Sequence, residues 1–270
     1  MSETKTAEPA VKPIAEYIRD VNIEQPFVWL GKGWADFVRA PTLSLAHGLI
    51  FTTIGLVLAV GLHYAEMDYL IYPMTAGFIL AGPILAIGIY DISRRFSRGS
   101  VPRPGKCLTA WRYNGYHVLT AGLVLMIFAM VWSRFAVLTF VLSFPYIGMN
   151  LDVILDKVFF TWDGFVFLLT GTAIGAVMAV IAFMFGVVTL PMMLDRKVDV
   201  FTAAFVSFLV VKKNIGAMLT WAGLIVIFIG AGLATAYIGL AITLPLIGYA
   251  SWHAYEACVD GSRWPENPVS

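Results

Sequence analysis

Residues 215–252 read IGAMLTWAGLIVIFIGAGLATAYIGLAITLPLIGYASW, a run that contains no charged side chain. As one straight helix this run would be about 57 Å long, nearly twice the hydrocarbon core of a bilayer. The run must therefore turn, and the glycines between 230 and 239 mark the place, because glycine lets a chain reverse without steric cost. We predict two membrane-spanning helices here, at 215–233 and 234–252.

The rest of the chain has the same apolar character, since 59% of all residues are hydrophobic and only 13% are charged. A helix needs about 20 apolar residues to cross the bilayer core, and four further windows meet this requirement. They are 43–62, 69–90, 118–142 and 165–190. The sequence therefore predicts an all-α membrane protein with six transmembrane helices, in a domain that covers residues 43–253.

Three segments of the sequence align without a gap, and each of them opens an odd-numbered span. Residues 47–60 read HGLIFTTIGLVLAV, residues 114–127 read NGYHVLTAGLVLMI and residues 215–228 read IGAMLTWAGLIVIF. In each segment two glycines are seven residues apart. A sequence repeat of this kind indicates a repeated structural unit. The six spans are therefore predicted to form three tandem helical hairpins.

Small residues and prolines predict how these helices pack and bend. A stripe of small residues lets two helix backbones approach closely in a membrane, although such a stripe can also line a substrate path. The predicted packing positions are Gly48, Gly55, Gly115, Gly122, Gly171, Gly175, Gly216, Gly223 and Gly230. Proline removes a backbone hydrogen bond, so we predict kinks at Pro83, Pro191 and Pro245. A hinge for transport is the alternative reading of these prolines.

Basic residues near the span ends predict sidedness, because cytoplasmic loops retain Lys and Arg. All but two of the 18 basic residues fall on the side of the chain ends, the exceptions being Arg134 and Lys157. The loop after the second span supplies the topological signal and contacts to anionic lipid through Arg94, Arg95, Arg98, Arg103, Lys106 and Arg112. Both termini are therefore predicted to be cytoplasmic, in a bacterial-type inner membrane. Asp91 is expected to pair with Arg94, and Asp195 with Arg196.

The segments outside the spans have compositions of their own. Residues 1–13 are polar and are predicted to be disordered. Residues 14–42 form an amphipathic segment with Phe27 and Trp34 on its apolar face, and we predict that this segment lies at the membrane interface. Residues 254–270 form a cytoplasmic tail.

Three of the four histidines are candidate cofactor ligands. His47, His117 and His253 lie at the cytoplasmic ends of spans one, three and six, and a b-type haem or a metal ion would require them to converge. Histidines at membrane ends are also common without any ligand, so no cofactor is predicted and haem b remains the alternative. Cys107 and Cys258 lack metal-binding spacing and lie on the reducing side, so no disulfide is expected.

One stretch of the sequence carries a family resemblance. Residues 80–103 read LAGPILAIGIYDISRRFSRGSVPR, and upstream the chain has GWADF at 33–37 and RAP at 39–41. In combination these elements resemble an uncharacterised bacterial integral-membrane family, domain of unknown function 2189, over roughly residues 30–260. The resemblance implies no assigned activity. Some members are labelled as cytochrome c oxidase subunits, which implies at most a respiratory association.

No pattern in the sequence indicates a reaction, and three functions remain open. Sparse polar residues within the spans and the glycine stripes favour a non-catalytic accessory, assembly or scaffold subunit, with the lipid bilayer and other membrane-protein subunits as partners. Three hairpins with proline-interrupted even spans are also typical of a small-solute transporter or channel. A b-type haem-binding membrane protein is the third reading. Nucleic-acid binding is not expected, because topology explains the basic loop.

Overall fold

The computed structural model describes residues 12–67, 70–145 and 151–268, except for the side chains of residues 72–73 and 151–155. Within these ranges the chain consists of helices joined by short turns and loops, which confirms the predicted all-α class. Residues 1–11, which make up most of the predicted disordered tail, lie outside the described residues.

The amino-terminal segment contains two helices. A 3-10 helix at Ile14–Tyr17 is followed by α1 at Gln25–Arg39. Pro26 lies in the first turn of α1, where the missing N–H has no helical partner to lose. Helix α1 packs against the helix at Leu240–Cys258, the last α-helix of the described chain, and leaves Trp34 exposed. The interfacial position of residues 14–42 stays a prediction.

Helices α2 and α3 form the first pair of the bundle, and α4 continues the direction of the chain after α3. Helix α2 covers Pro41–Tyr64 and packs against α3, which covers Ile71–Leu85. After Ala86 the chain continues as α4 at Ile87–Ser97. Pro83 lies inside α3, shortly before its end, and removes one backbone donor. The second predicted span is therefore interrupted at Ala86.

The second pair consists of α6 and α8, which pack along each other. The elements of this part of the chain are α5 (Pro104–Leu108), a 3-10 helix (Ala110–Asn114), α6 (Gly115–Ser143), α7 (Leu151–Phe160), α8 (Trp162–Gly186) and α9 (Thr189–Asp195). The fourth predicted span is interrupted between α8 and α9, and Pro191 lies in the first turn of α9. Both even-numbered spans described so far thus break close to a proline.

The last three helices are α10 (Val200–Lys213), α11 (Ile215–Ala234) and α12 (Leu240–Cys258). Asp199 caps α10, because its carboxylate accepts hydrogen bonds of 3.0 Å from the backbone N–H groups of Phe201 and Thr202. Helices α11 and α12 are joined by a turn at 235–239, within the region where the glycines predicted a reversal. Helix α12 contains Pro245 and packs against α1, α2, α4 and α11.

Five segments of the described residues are long and apolar enough to cross a membrane. They are Pro41–Tyr64, Met74–Ser97, Ala110–Ser143, Trp162–Asp195 and Ile215–Ala234, and they correspond to the first five predicted spans. The sixth predicted span, 234–252, is not among them. Its helix begins only at Leu240, and the second half of that helix contains His253 and Glu256. The arrangement of six complete spans in three hairpins stays a prediction.

Both ends of the described chain lie where α4 and α9 end, at Ser97 and Asp195, and we call this the cluster end of the bundle. The backbone N–H of Arg19 donates to the carbonyl oxygen of Cys258 at 2.8 Å. The N–H of Asn267 donates to the carbonyl oxygen of Asp195 at 2.9 Å. The chain therefore enters and leaves the bundle at the same end.

Candidate functional site

Charged side chains, together with two polar ones that bind them, are concentrated at the cluster end, where most of them are buried. We call this group the buried charge cluster, and its members are Asp91, Arg94, Arg95, Arg98, Asp195, Arg196, Tyr255 and Asn267. The two local ion pairs expected from the sequence, Asp91 with Arg94 and Asp195 with Arg196, are confirmed at 3.7 and 2.8 Å. The structure also joins these two pairs into one network, which no local spacing in the sequence predicted.

Asp195, the last residue of α9, is the centre of this network. Its Oδ1 accepts a hydrogen bond of 2.6 Å from Nη2 of Arg98, and Nε of Arg94 lies 3.4 Å from the same oxygen. Its Oδ2 accepts hydrogen bonds from Nε of Arg196 at 2.8 Å and from the hydroxyl of Tyr255 at 2.9 Å. One carboxylate therefore faces three guanidinium groups and links α9 to α4 and α12.

Asp91 organises the second half of the cluster along α4. Arg94 and Arg95 follow it at the i+3 and i+4 positions, which lie on the same side of a helix. Nε of Arg95 donates to Oδ2 of Asp91 at 2.7 Å, and its Nη2 donates to the hydroxyl of Tyr113 at 3.0 Å. This ion pair is nearly inaccessible to solvent, since Asp91 is 0% and Arg95 is 3% exposed.

The carboxyl-terminal tail closes the cluster. The side-chain Nδ2 of Asn267 donates to the carbonyl oxygens of Met193, Leu194 and Arg196 at 3.0–3.1 Å. The carbonyls of Met193 and Leu194, at the end of α9, and of Arg196, just after it, have no partner within the helix, so Asn267 acts as its cap. Arg94 in turn donates from Nη2 to the carbonyl oxygen of Asn267. The tail is therefore part of the folded unit.

Because the cluster is buried, each of its ionised side chains needs an oppositely charged partner. An unpaired ion inside a protein costs several kcal/mol, and arginine stays protonated in proteins, so the carboxylates that neutralise Arg94 are required for its burial. Burial and the neighbouring Asp195 carboxylate raise the pKa of Tyr255 well above its usual value. The phenol therefore keeps its proton and donates a hydrogen bond to Asp195. These properties suit the cluster for clamping helix ends together.

A second buried polar group connects α1, α4 and α12. Oδ2 of Asp36 accepts hydrogen bonds from the hydroxyl of Ser93 at 2.5 Å and from Nε2 of His253 at 2.8 Å. Nδ1 of His253 lies 3.3 Å from a carboxylate oxygen of Glu256. Burial lowers the pKa of His253, but its hydrogen bonds to Asp36 and Glu256 outweigh this effect, and the pKa lies above its usual value. Both nitrogens of this ring therefore already face carboxylates.

The other two candidate histidines have different neighbours. His47 is buried in α2, and its Nδ1 lies 2.9 Å from the carbonyl oxygen of Leu43. His117 lines a pocket of about 340 Å³ together with Tyr113 and Lys197. The three histidines that a haem would need thus have three separate surroundings. Among the described residues, no group of three or more His, Cys, Asp or Glu side chains is placed to hold a metal ion.

The six basic residues assigned to topology and lipid contact fall into two groups. Arg94 and Arg95 are buried in the cluster and Arg98 is 25% exposed, so the expected lipid contact does not apply to the first two side chains. The remaining three, Arg103, Lys106 and Arg112, lie closer to the surface, and Arg112 stands 5.3 Å from the ring of Trp111. A role in lipid contact stays a prediction for these.

Two of the predicted packing glycines are in very close contact with another helix or turn. A Cβ added at Gly48 would overlap the carbonyl oxygen of Ala241 and lie 2.8 Å from its Cα. A Cβ at Gly55 would lie 2.6 Å from the ring of Tyr237. These contacts agree with the predicted role of both glycines in packing. Gly115, Gly122 and Gly216 have only ordinary contacts, because the nearest atoms lie 3.6–3.8 Å from an added Cβ.

The other four predicted packing glycines are open. At Gly171, Gly175, Gly223 and Gly230, no atom of the described residues beyond the adjoining residues and backbone of the same helix lies within 4 Å of an added Cβ. Gly171 and Gly175 are on α8, whereas Gly223 and Gly230 are on α11. These positions provide no close packing inside the described chain, and their role in helix association stays a prediction that concerns other chains.

Sequence reasoning missed several residues of the site. Tyr255 and Asn267 bind Asp195 and the end of α9 from positions that are 60 and 73 residues away in the chain. Asp36 lies in the GWADF motif at 33–37, and Ser93 lies in the motif at 80–103. Their presence in the two quoted motifs is the one sequence signal that points to them.

We expect both cysteines to be unreactive in the folded protein. Burial raises the pKa of Cys107 and of Cys258 to about 12, so at pH 7.5 almost no reactive thiolate is present. Incubation with a maleimide in mild detergent should leave the mass unchanged, whereas denaturation in SDS should expose two labelling sites. Rapid addition of one or two adducts to the folded protein, measured by mass spectrometry, would contradict the burial of the corresponding thiol.

Part of this chain matches the model of a known family. No curated protein and no solved structure matches the chain. Residues 71–195 match the model of a family described as a predicted integral membrane protein (DUF2189). The match is shorter than the expected 30–260, but it contains Asp91 and ends at Asp195, the two central carboxylates of the buried charge cluster. The resemblance that the motif at 80–103 predicted is therefore confirmed, and residues 71–195 of this chain match an integral-membrane family of unknown function.

Proposed function

We propose that this protein is a non-catalytic accessory, assembly or scaffold subunit that associates with other membrane proteins. Its surface on α11 supports this proposal. Gly223 and Gly230 are seven residues apart on that helix, are exposed, and have open space where a side chain would be. Exposed small residues in a membrane helix allow another helix backbone to approach closely. The occupant that fits this face is a transmembrane helix of a second protein.

Helix α8 supports the same proposal with a second open surface. Gly171 and Gly175 form a small-residue pair four positions apart, and both have open space around them. The two surfaces belong to helices that are each held in place from within: α8 packs on α6 and α10, and α11 packs on α12. A rigid bundle with small-residue faces directed outward is suited to bringing other subunits together.

The proposed location is a bacterial inner membrane, with both chain ends in the cytoplasm. The contacts between Arg19 and Cys258 support a common side for the two ends. The basic residues of the loop after α4 support the cytoplasm as that side. The labels of the family suggest a respiratory complex of the cytochrome oxidase type as the first partner to test.

The proposal is tested by affinity purification from native membranes in mild detergent. We expect a stoichiometric membrane-protein partner with the wild-type chain, and at least a tenfold loss of it with the double variant Gly223→Ile and Gly230→Ile, because about 1.4 kcal/mol of lost packing has this effect. Gly61→Ile is the matched control, since Gly61 is also exposed and open but lies on α2. Repeated recovery of the wild-type protein alone would contradict the proposal.

A small-solute transporter or channel is the second candidate. The observation that favours it is the interruption of two spans, at Ala86 and between α8 and α9, because transporters use broken helices near their binding sites. Solute flux into proteoliposomes that is lost on changing Pro191 and Pro245 would favour this candidate. Flux equal to that of protein-free liposomes would leave the scaffold proposal as the better one.

A further inference from the structure

The turn between α11 and α12 packs against the middle of α2. The hydroxyl of Thr52 donates to the carbonyl oxygen of Tyr237 at 3.2 Å. Thr52 lies halfway along α2, which has 24 residues from Pro41 to Tyr64. At 1.5 Å per residue, about 18 Å of α2 continues beyond the level of this contact. The turn therefore does not reach the end of α2.

Two further contacts place the turn at 235–239 beside the middle of α2. The carbonyl of Ala241, at the start of α12, is in direct contact with Gly48 of α2. The ring of Tyr237 passes Gly55, and its hydroxyl lies 2.5 Å from the hydroxyl oxygen of Thr75 in α3. The side chain of Tyr237 thus continues along α2 beyond the point where its own backbone turns. All of these contacts place the turn beside the middle of α2 and not beside its end.

The opposite end of α12 extends past the start of α2. The hydroxyl oxygens of Tyr249 and Ser44 lie 2.7 Å apart, and nine residues of α12 follow Tyr249, whereas three residues of α2 precede Ser44. Nε1 of Trp252 donates to the hydroxyl of Ser97, the last residue of α4. The hydroxyl of Tyr255 donates to Asp195, the last residue of α9. Helix α12 is therefore displaced toward the cluster end relative to α2. This displacement is consistent with the sequence of α12, whose second half contains His253 and Glu256 and which is not among the segments long and apolar enough to cross a membrane.

The turn itself has the features of a chain reversal that satisfies its own polar groups. Ala236 and Tyr237 adopt the left-handed conformation, with φ of 51° and 68°. The hydroxyl of Thr235 donates to the carbonyl oxygen of Gly232 at 2.8 Å and accepts from the N–H of Gly239 at 2.7 Å. Non-helical backbone at membrane depth is tolerated when its polar groups find partners of this kind.

We infer that α11 and α12 form a re-entrant hairpin, which enters the membrane from the cluster end, turns at 235–239 near mid-depth and returns to the same side. Four complete crossings remain, namely α2, α3 with α4, α6, and α8 with α9. This even number keeps both chain ends on one side. Tyr237 anchors the tip of the hairpin through Thr52 and Thr75. The inference depends on membrane insertion and is independent of the proposed scaffold function.

The inference is tested by the depth of fluorescent probes in proteoliposomes. Single cysteines that replace Ile227 and Ile238, both 65% exposed, are labelled with bimane and quenched by lipids that carry a nitroxide either near the headgroup or near the chain end. The native thiols are buried and do not contribute. A re-entrant hairpin places position 238 deeper than position 227 by about 12 Å. The ratio of deep to shallow quenching should therefore be larger at 238.

A complete crossing predicts the reverse order, because position 227 would then lie near mid-bilayer and position 238 near the far surface. A larger ratio at 227 would overturn the inference. A probe at Tyr64, which is 84% exposed at the end of α2, calibrates the shallow limit. If the variant at 238 does not fold, Ala234→Cys at the end of α11 replaces it, and the same order relative to 227 decides the outcome.

Discussion

Replacing Asp195 by alanine is expected to lower the free energy of unfolding by about 3–5 kcal/mol, the cost of leaving a buried charge without its partner. Arg94 has no exposed surface, and Arg98 and Arg196 donate to the same carboxylate. All three guanidinium groups lose that partner in the variant. The end of α9 would also lose its connection to Tyr255 of α12. Thermal unfolding in detergent, followed by circular dichroism, should show a midpoint lower by roughly 10 °C.

The matched control for this variant is Asp20→Ala. Asp20 forms an ion pair of 3.2 Å with Lys213, but its side chain is 80% exposed. Exposed ion pairs contribute less than about 1 kcal/mol, so this variant should unfold close to the wild-type temperature. Equal effects of the two substitutions would show that the cluster does not clamp the helix ends. An Asp195→Asn variant should lie between them, because the amide keeps an acceptor oxygen and loses the charge.

Gly48→Ala is expected to be the most damaging single methyl addition among the repeated glycines. The new Cβ would overlap the backbone of Ala241, and a backbone carbonyl cannot move aside as the end of a flexible side chain can. Overpacking of this kind costs about 1–3 kcal/mol or more, since α12 must shift away from α2. We expect a clear fall in the unfolding midpoint and in the yield of folded protein from membranes. Size-exclusion chromatography and thermal unfolding measure both effects.

The other two aligned segments of the sequence repeat provide matched controls for Gly48→Ala. Gly115 and Gly216 occupy the position of Gly48 in the other two aligned segments. An added Cβ would lie 3.8 Å from the ring of Trp111 in the first case and 3.7 Å from Ile23 in the second, which are ordinary contacts. Gly115→Ala and Gly216→Ala should therefore be tolerated. Equal destabilisation by all three substitutions would mean that the contact with α12 is not what makes glycine necessary at position 48, since alanine is the better helix former of the two.

Local sequence determined a large part of this protein. The apolar runs predicted the helices, because insertion into hydrocarbon depends on the composition of each segment by itself. The spacing of Asp91 and Arg94 predicted an ion pair, because side chains three positions apart meet on one helix. The motif at 80–103 predicted the resemblance to an integral-membrane family, and the match over residues 71–195 confirmed that resemblance. Each of these predictions needed only residues that are close together in the chain.

Tertiary structure alone decided the rest. Gly48, Gly115 and Gly216 have the same local pattern, yet only Gly48 meets another backbone. Asp195 is joined by Arg94 and Tyr255, which local spacing does not connect to it. The depth of the turn at 235–239 depends on where Tyr237 finds Thr52. Helical periodicity determines which residues share a face, but which faces meet, and at what level, depends on packing between segments that are distant in sequence.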